Sequence, residues 1–461
     1  MIVRSPIAGG PFAPRAAPAR REGNLDMSGA ARYLAGRGPG QAADPPDRVV
    51  EAEASSAVLA AARVARVAAR QLSSTPDGQL DEALRGMSAQ LDRRSAEVAV
   101  ANEQDVRAAR ANGLPAAMID RLLLDTARVR AAASQLTALA GITQEPGMRV
   151  IRALPGGLEL QEWRRPVGVI GANFEARPNV VLDMASQLIK SRNAGVLRTG
   201  SAALRTAAVL ADEVIGPAMQ AAGLDPRAIQ LIRVPGRATA FALVRQPKLI
   251  PLVILRGSGT STRELATEAA LHGVRALAHA DGGAVMYLDL SANQELAGQL
   301  IESSLDRLGV CNRLNLLLVQ DSAWDTTLPM ISTVCLRLGI SMSLPPHDHP
   351  LGHEWALDHG REATITVARA ADAGDAAEIA NTETSGLAAT VVAQDSAAAR
   401  QFLHTYAGTG AFWNATTRLL DGYKMLSVPE TGINIDAVPG PRGPVTFRDL
   451  VLRQYVVMPT G

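Results

Sequence analysis

The chain has 461 residues, 46 basic and 45 acidic, so its net charge is +1 and it presents no electrostatic case for binding nucleic acid. That length can bury a large core in two or three domains. No apolar run is long enough to cross a bilayer, and the N-terminus lacks the order of a secretion signal, so a cytoplasmic protein is expected.

Residues 1–47 are rich in Pro, Gly, Ala and Arg without sustained periodicity, and are read as a disordered N-terminal extension. From about 49 to 145 the pattern is helical, with Arg63, Arg66 and Arg70 on one face and breaks at Pro76, Gly113 and Pro115. Alternating runs either side of Pro155-Gly156-Gly157 predict a β-hairpin over 148–163. Short apolar strands then alternate with helices: Val167–Ala172, Gly195–Arg198, Ile229–Val234, Leu252–Leu255 and Leu277–Ala278. That rhythm predicts a parallel sheet. A second alternation runs from Val285 through Leu314–Val319 and Thr364–Val367 to Val391-Val392. The expected organisation is an α/β protein with a first domain at 48–285 and a second at 286–411. A C-terminal return at 412–461 ends in an edge strand at Arg453-Gln-Tyr-Val-Val-Met.

Four constellations carry chemistry. Phe174-Glu-Ala-Arg-Pro-Asn-Val follows the first strand of the sheet and leads into a helix over Val180–Lys190, with Pro178 suited to the first helical position. Arg177 there meets the positive end of a helix dipole, a conflict that an anion or a carboxylate such as Glu175 would relieve. Leu255-Arg-Gly-Ser-Gly-Thr, before a helix expected at Arg263–Gly273, has the form of a phosphate-binding βα turn, although an empty turn reads the same. At the end of Gly195–Arg198, Thr199-Gly-Ser carries no carboxylate to receive a ribose 2′-hydroxyl, while Arg198 and Arg205 lie near, which favours a 2′-phosphorylated cofactor. His347-Asp-His-Pro-Leu-Gly-His-Glu is read as a solvated loop and not a metal site, since nothing completes a ligand set. The two cysteines, Cys311 and Cys335, build no disulfide framework, and each is either buried filler or a nucleophile.

Together with Ala101-Asn-Glu-Gln-Asp-Val-Arg, Ile119-Asp-Arg-Leu, Val310-Cys-Asn, Asn414-Ala-Thr-Thr-Arg, Glu430-Thr-Gly-Ile-Asn and Pro441-Arg-Gly-Pro, these segments resemble the γ-glutamyl phosphate reductase (glutamate-5-semialdehyde dehydrogenase) family of the aldehyde dehydrogenase superfamily, over about 95–461. The resemblance implies two parallel-sheet α/β domains, cofactor-binding and catalytic, plus an oligomerisation hairpin and arm. By position, Cys311 would be the nucleophile, with Asn312, Arg177 and Asn179 about it. Arg198, Thr199, Gly200, Ser201, Gly257, Ser258, Gly259 and Thr260 would hold NADPH, with NADH also compatible. Glu175, Leu387, Ala389, Asn414 and Arg418 would face the substrate. The implied chemistry is displacement of phosphate from an acyl phosphate by the thiolate, then hydride reduction of the thioester to an aldehyde.

The departures bear on the substrate. Where the family carries a His and an acid in a Gly-Ser-x-His-Thr-Glu run, this chain reads Thr384-Ser-Gly-Leu-Ala-Ala, and Ser201 replaces the family's Lys. Ala278-His-Ala-Asp-Gly-Gly contains no Glu to activate water. A modified glutamyl phosphate is therefore expected as readily as γ-glutamyl phosphate itself. The alternatives are reduction of a CoA or carrier-protein thioester, and a catalytically degenerate binding or assembly partner. An acyl kinase is an expected partner, and the assembly is expected to be a homodimer or homotetramer.

Overall fold

The computed structural model describes residues 45–460 apart from 115, 176, 258, 280, 281, 359 and 437–439. Most of the expected extension at 1–47, and Ser258 of the expected phosphate turn, lie outside the described residues.

Helices open the chain: α1 (Pro45–Ser73), α2 (Asp77–Arg93), α3 (Ser95–Ala111), α4 (Ala116–Leu122) and α5 (Thr126–Gly141). Ala54, Val58, Ala62, Ala65 and Leu72 form the buried stripe of α1 at helical spacing, while Val67 is exposed with the arginines. Asn102 fixes the end of α4, its amide donating to the Leu122 carbonyl at 2.8 Å while its oxygen accepts from the Leu124 N–H at 2.8 Å. The hairpin follows as β1 (Met148–Leu154) and β2 (Leu158–Pro166). Positive φ at Gly156 and Gly157 makes its tight turn accessible without strain.

The first parallel sheet is built from β3 (Val169–Phe174), β4 (Ala194–Thr199), β5 (Ile229–Leu231), β6 (Leu252–Arg256) and β7 (Arg275–His279), in the order β5-β4-β3-β6-β7. Its crossovers are α6 (Val180–Lys190), the helical run containing α7 (Leu204–Val209) and α8 (Gly216–Ala221), α9 (Arg237–Val244) and α10 (Gly259–Leu271). Strand order reverses between β3 and β6, so the turns after those two strands open one crevice at their C-terminal ends. The α6 helix has the expected span, but Asn179 occupies its cap position and Pro178 stands outside it. The α10 helix begins four residues earlier than expected, which draws Gly259 and Thr260 into its first turn.

The second parallel sheet has the order β10-β11-β9-β8-β12-β13. It comprises β8 (Ala284–Leu288), β9 (Leu314–Gln320), β10 (Ser341–Ser343), β11 (Thr364–Ala370), β12 (Ala388–Val392) and β13 (Gly410–Trp413). Helices α11 (Gln294–Ser304), α12 (Trp324–Leu338), α13 (Ala373–Glu383) and α14 (Ser396–Thr405) cover its faces.

The C-terminal segment is more regular than expected. After α15 (Gly422–Leu426) it forms the antiparallel pair β14 (Gly432–Asn434) and β15 (Gly443–Val445), then β16 (Val451–Pro459). Val428, Val445, Phe447 and Leu450 join the core of the first sheet. Gln187 of α6 donates to the Pro429 carbonyl at 2.7 Å and accepts from the Phe447 N–H at 2.6 Å, and Asn193 donates to the Leu450 carbonyl at 2.8 Å. The β16 strand pairs with β2 from Val451↔Pro166 to Pro459↔Leu158, so hairpin and final strand complete one sheet within the chain. The edges left open are β1 and the outer side of β16, where Val150, Ile151, Leu452, Tyr455 and Val457 are exposed.

Candidate active site

Cys311 sits half-buried in the loop between α11 and β9, and its carbonyl accepts from the Gly283 N–H at 2.8 Å. Gly282 presses against it: a Cβ at that position would lie 3.0 Å from Cys311 Cα and 2.9 Å from its carbonyl oxygen. Ala284, Leu387, Leu420, Ile433 and Ile435 make an apolar wall on which the Cys311 side chain packs. Burial pushes the thiol up, and Arg177 and Arg256 pull it back while Glu430 and Glu354 add to the rise. Neither the Cys311 nor the Asn312 backbone N–H is spent on a hydrogen bond among the described residues, so both remain available to an oxyanion. Cys335 lies within α12 in the apolar core, where burial pushes its thiol up to about 11, as suits a packing residue.

Asn312 departs from the expected role. Its side chain donates to the Leu420 carbonyl at 2.9 Å and its oxygen accepts from the Arg418 guanidinium, so the amide is spent on holding the loop. Arg418 also pairs with Asp306 at 2.7 Å, making it a brace for the Cys311 loop and not a group facing substrate. Asn414 is displaced further, at the opposite end of the parallel strands. Its amide clasps Ala393, donating to the carbonyl at 2.9 Å and accepting from the N–H at 3.0 Å, and so ties the end of β13 to β12. Ala389 points into the core containing Tyr287 and Phe402, away from the thiol that Leu387 approaches.

Five groups without an assigned role join Arg177 and Cys311. Arg256 ends β6 and lays its stem over Gly432, where a Cβ would meet Arg256 Cδ at 3.4 Å. His279 ends β7 and accepts the Ile433 N–H on Nδ1 at 3.3 Å; burial, Arg256 and Arg177 push it down to about 3, so it stays neutral. Burial, reinforced by Asp421, pushes Glu430 up to about 7, and burial pushes Asp183 up to about 6 against the pull of Arg256 and Arg177. Asn179 donates to Asp183 at 3.2 Å. Glu354 reaches in from the histidine-rich loop, its Oε2 accepting the Gly282 N–H at 3.2 Å. The lack of a Glu after β7 therefore does not leave the site without carboxylates, since two arrive from other loops; Asp281 lies outside the described residues.

The histidines themselves stack. His349 and His353 meet Trp355 edge-on at 4.8 and 4.6 Å between ring centroids, and His353 pairs with Asp358 at 2.8 Å. This packing shapes the loop that carries Glu354, which is more order than a solvated loop was expected to have.

In the crevice of the first sheet, Glu175 packs so closely on Gly257 that a Cβ there would fall 2.9 Å from its carboxyl carbon. Arg198 turns inward: its guanidinium donates to Asn173 at 3.1 Å, Gly236 at 2.8 Å and Thr239 at 3.4 Å, bracing β4 and leaving it no free cation for a 2′-phosphate. Arg205 pairs with the buried Asp105 at 3.4 Å. A dinucleotide fits the crevice on one count: Thr199 Oγ1 is buried at the end of β4 with no hydrogen-bond partner among the described residues. Gly200 and Ser201 continue from Thr199 at the mouth.

Two parallel sheets, one with a dinucleotide crevice and the other carrying a cysteine that faces it, define a class. The aldehyde dehydrogenase family profile matches residues 46–343, and the chain belongs to that family. Within it, the chain is 33% identical over 409 residues to a γ-glutamyl phosphate reductase of Clavibacter michiganensis subsp. michiganensis, covering 86% of this chain and 93% of that protein. The crystal structure of γ-glutamyl phosphate reductase from Thermotoga maritima superposes with a TM-score of 0.78 at 25% identity, covering 87% of this chain and 98% of that one. An acetylating aldehyde dehydrogenase from Geobacillus thermoglucosidasius shares the fold, with a TM-score of 0.68 at 16% identity over 89% and 98% of the two chains. The protein is thus an aldehyde dehydrogenase-family enzyme that uses a nicotinamide cofactor. No described helix is long and apolar enough to cross a membrane.

Proposed function

We propose that the enzyme reduces an acyl phosphate, γ-glutamyl phosphate or an analogue with a modified head group, to the corresponding semialdehyde through a thioester on Cys311. The observation that carries this reading is Cys311 itself, half-buried on an apolar wall with Arg177 acting on its thiol and free backbone N–H groups beside it. The thiolate attacks the acyl carbon; a C–S bond forms, the C–O bond to phosphate breaks, and phosphate leaves with the electron pair. The Cys311 and Asn312 N–H groups, with Arg177, stabilise the oxyanion on the way. A nicotinamide held in the crevice beside Thr199 would supply the hydride that reduces the thioester. Cys311 then leaves with the C–S electron pair as the aldehyde is released, and the apolar wall keeps water from the acyl carbon.

We take the cofactor to be NADPH, because no carboxylate follows β4 to receive a free 2′-hydroxyl. Glu175 and Leu387 would border the acyl chain. Leu387 is fully buried against the thiol where the family's polar clamp is expected, which favours a substrate whose amine is masked or carrier-linked. A homodimer or homotetramer would cover the exposed β1 and β16 edges.

The deciding experiment is the oxidative direction with a panel of semialdehydes, each with inorganic phosphate, with CoA, or with neither. Phosphate-dependent reduction of NADP is expected, best with an amine-masked glutamate semialdehyde. Turnover that requires CoA instead would replace the reading with thioester reduction. The highest specificity constant for free glutamate semialdehyde would return the enzyme to the family's ordinary substrate.

A further inference from the structure

We propose that Arg121, Arg177 and Arg256 together form an anion site beside Cys311 that holds the phosphate of the acyl phosphate and receives it as it leaves. The assignment rests on the acyl-phosphate reading above and extends it to two residues, Arg121 and Arg256.

Three segments distant in sequence bring these guanidinium groups together. Arg177 lies in the turn after β3, directly before the N-terminus of the eleven-residue α6. Arg256 ends β6, the strand across the crevice from β3, and lines a narrow pocket with His279 and Ile433. Arg121 comes from the last turn of α4, and α4 is pinned to the nucleophile's loop by Arg307, which pairs with Asp120 at 3.2 Å. Arg256, Arg121 and Arg307 each act electrostatically on Arg177, as does Cys311.

What makes the cluster a site is that its three arginines have no ion-pair partner among the described residues. Asp120, adjacent to Arg121, is already spent, with one oxygen on Arg128 at 2.6 Å and the other on Arg307. Arg121 Nε is enclosed and has no hydrogen-bond partner among the described residues. No carboxylate stands within ion-pair distance of Arg121, Arg177 or Arg256 among the described residues. Asp183, Glu430 and Glu354 face the same space, and burial disfavours the charged forms of Asp183 and Glu430. His279 is neutral. Arg177 stands before a helix N-terminus, opposed by the helix dipole and repelled by Arg256 and Arg121, and a doubly charged phosphate relieves both costs.

A bound carboxylate or the cofactor's pyrophosphate would present related chemistry, so the test separates them. The full-length enzyme is alkylated with iodoacetamide, and carboxamidomethylation of Cys311 is followed by peptide mass spectrometry with and without inorganic phosphate. The protection ratio is read, which cancels any change in thiolate fraction. Phosphate is expected to protect Cys311 saturably, where chloride at equal ionic strength and acetate do not, and to do so with the dinucleotide present. R121Q and R256Q should each raise the half-protecting concentration about tenfold or more, the loss of one charge-assisted hydrogen bond. R121K should keep part of the protection, and dinucleotide affinity and melting temperature should hold in all three. The proposal is overturned if phosphate protects no better than chloride or acetate, if R121Q and R256Q protect like the parent, or if they weaken dinucleotide binding instead. Turnover that needs CoA with phosphate protection intact would remove the functional reading and leave the anion site standing.

Discussion

Replacing Gly282 by alanine should disable the enzyme without unfolding it. The new Cβ would lie 2.9 Å from the Cys311 carbonyl oxygen, 3.0 Å from Cys311 Cα and 2.6 Å from Glu354 Oε1, where ordinary contact begins at 3.4 Å. Glu354 can swing aside, but the two Cys311 atoms belong to backbone that Asn312, Arg418 and Thr417 hold in place. The loop must therefore yield by roughly half an ångström, at about 1–3 kcal/mol of stability. Since a displacement of about 1 Å at a reacting centre costs on the order of a hundredfold, kcat/KM should fall about ten- to a hundredfold. The thiol alkylation rate should change in parallel while dinucleotide affinity stays constant. Gly309, in the same loop, has nothing within 4 Å of its Cβ position, so Gly309→Ala is the control and should be nearly silent. Full kcat/KM in Gly282→Ala, with unaltered alkylation, would refute the claim that this close approach fixes the nucleophile.

Cys311→Ala should abolish aldehyde formation and leave the melting temperature unchanged, whereas Cys335→Ala should stay active and lose about 1 kcal/mol of stability, read by urea unfolding and steady-state rates. Arg418→Met should free the Asn312 amide and lower kcat more than it raises KM, since it loosens the loop without touching substrate; an effect on KM alone would argue for direct substrate contact. Glu430, raised to about 7 by burial from its ordinary 4.5, binds its proton more tightly in the folded state. Its contribution to stability is complete below about pH 4.5 and is lost as pH rises through about 7, by about 1–3 kcal/mol. Glu430→Gln should flatten that slope in urea titrations at pH 5 and 8, and an equally steep slope in the variant would assign the effect elsewhere.

Both parallel sheets were legible because their strands are short apolar runs between helices, and α6 was legible in full because a strand, a turn and a proline frame it. The three-residue strands β10, β14 and β15 are too short to show a period and exist only through pairing. Side-chain roles were harder. Asn414 and Arg418 belong to one motif, yet one clasps a strand end and the other braces a loop, and spacing carries no sign of which way an amide or guanidinium turns. Arg198 misled for the same reason, since its inward bonds depend on Asn173 and Gly236 from neighbouring segments. Arg256 and Glu430 stood inside recognised motifs, but only the folded chain reveals that they meet.

The closing of the first sheet's core by residues from the end of the chain means that the second sheet, with the Cys311 loop, is in effect an insertion within the chain that builds the first. A ribosome must translate through residue 450 before Gln187 and Asn193 find their partners and Phe447 fills its seat. A fragment ending near 285 would keep every strand of that sheet yet lack part of its core. Isolating the first sheet therefore calls for excising the middle of the gene and rejoining its two flanks, and a cut before residue 445 should be felt first in the core beneath α6.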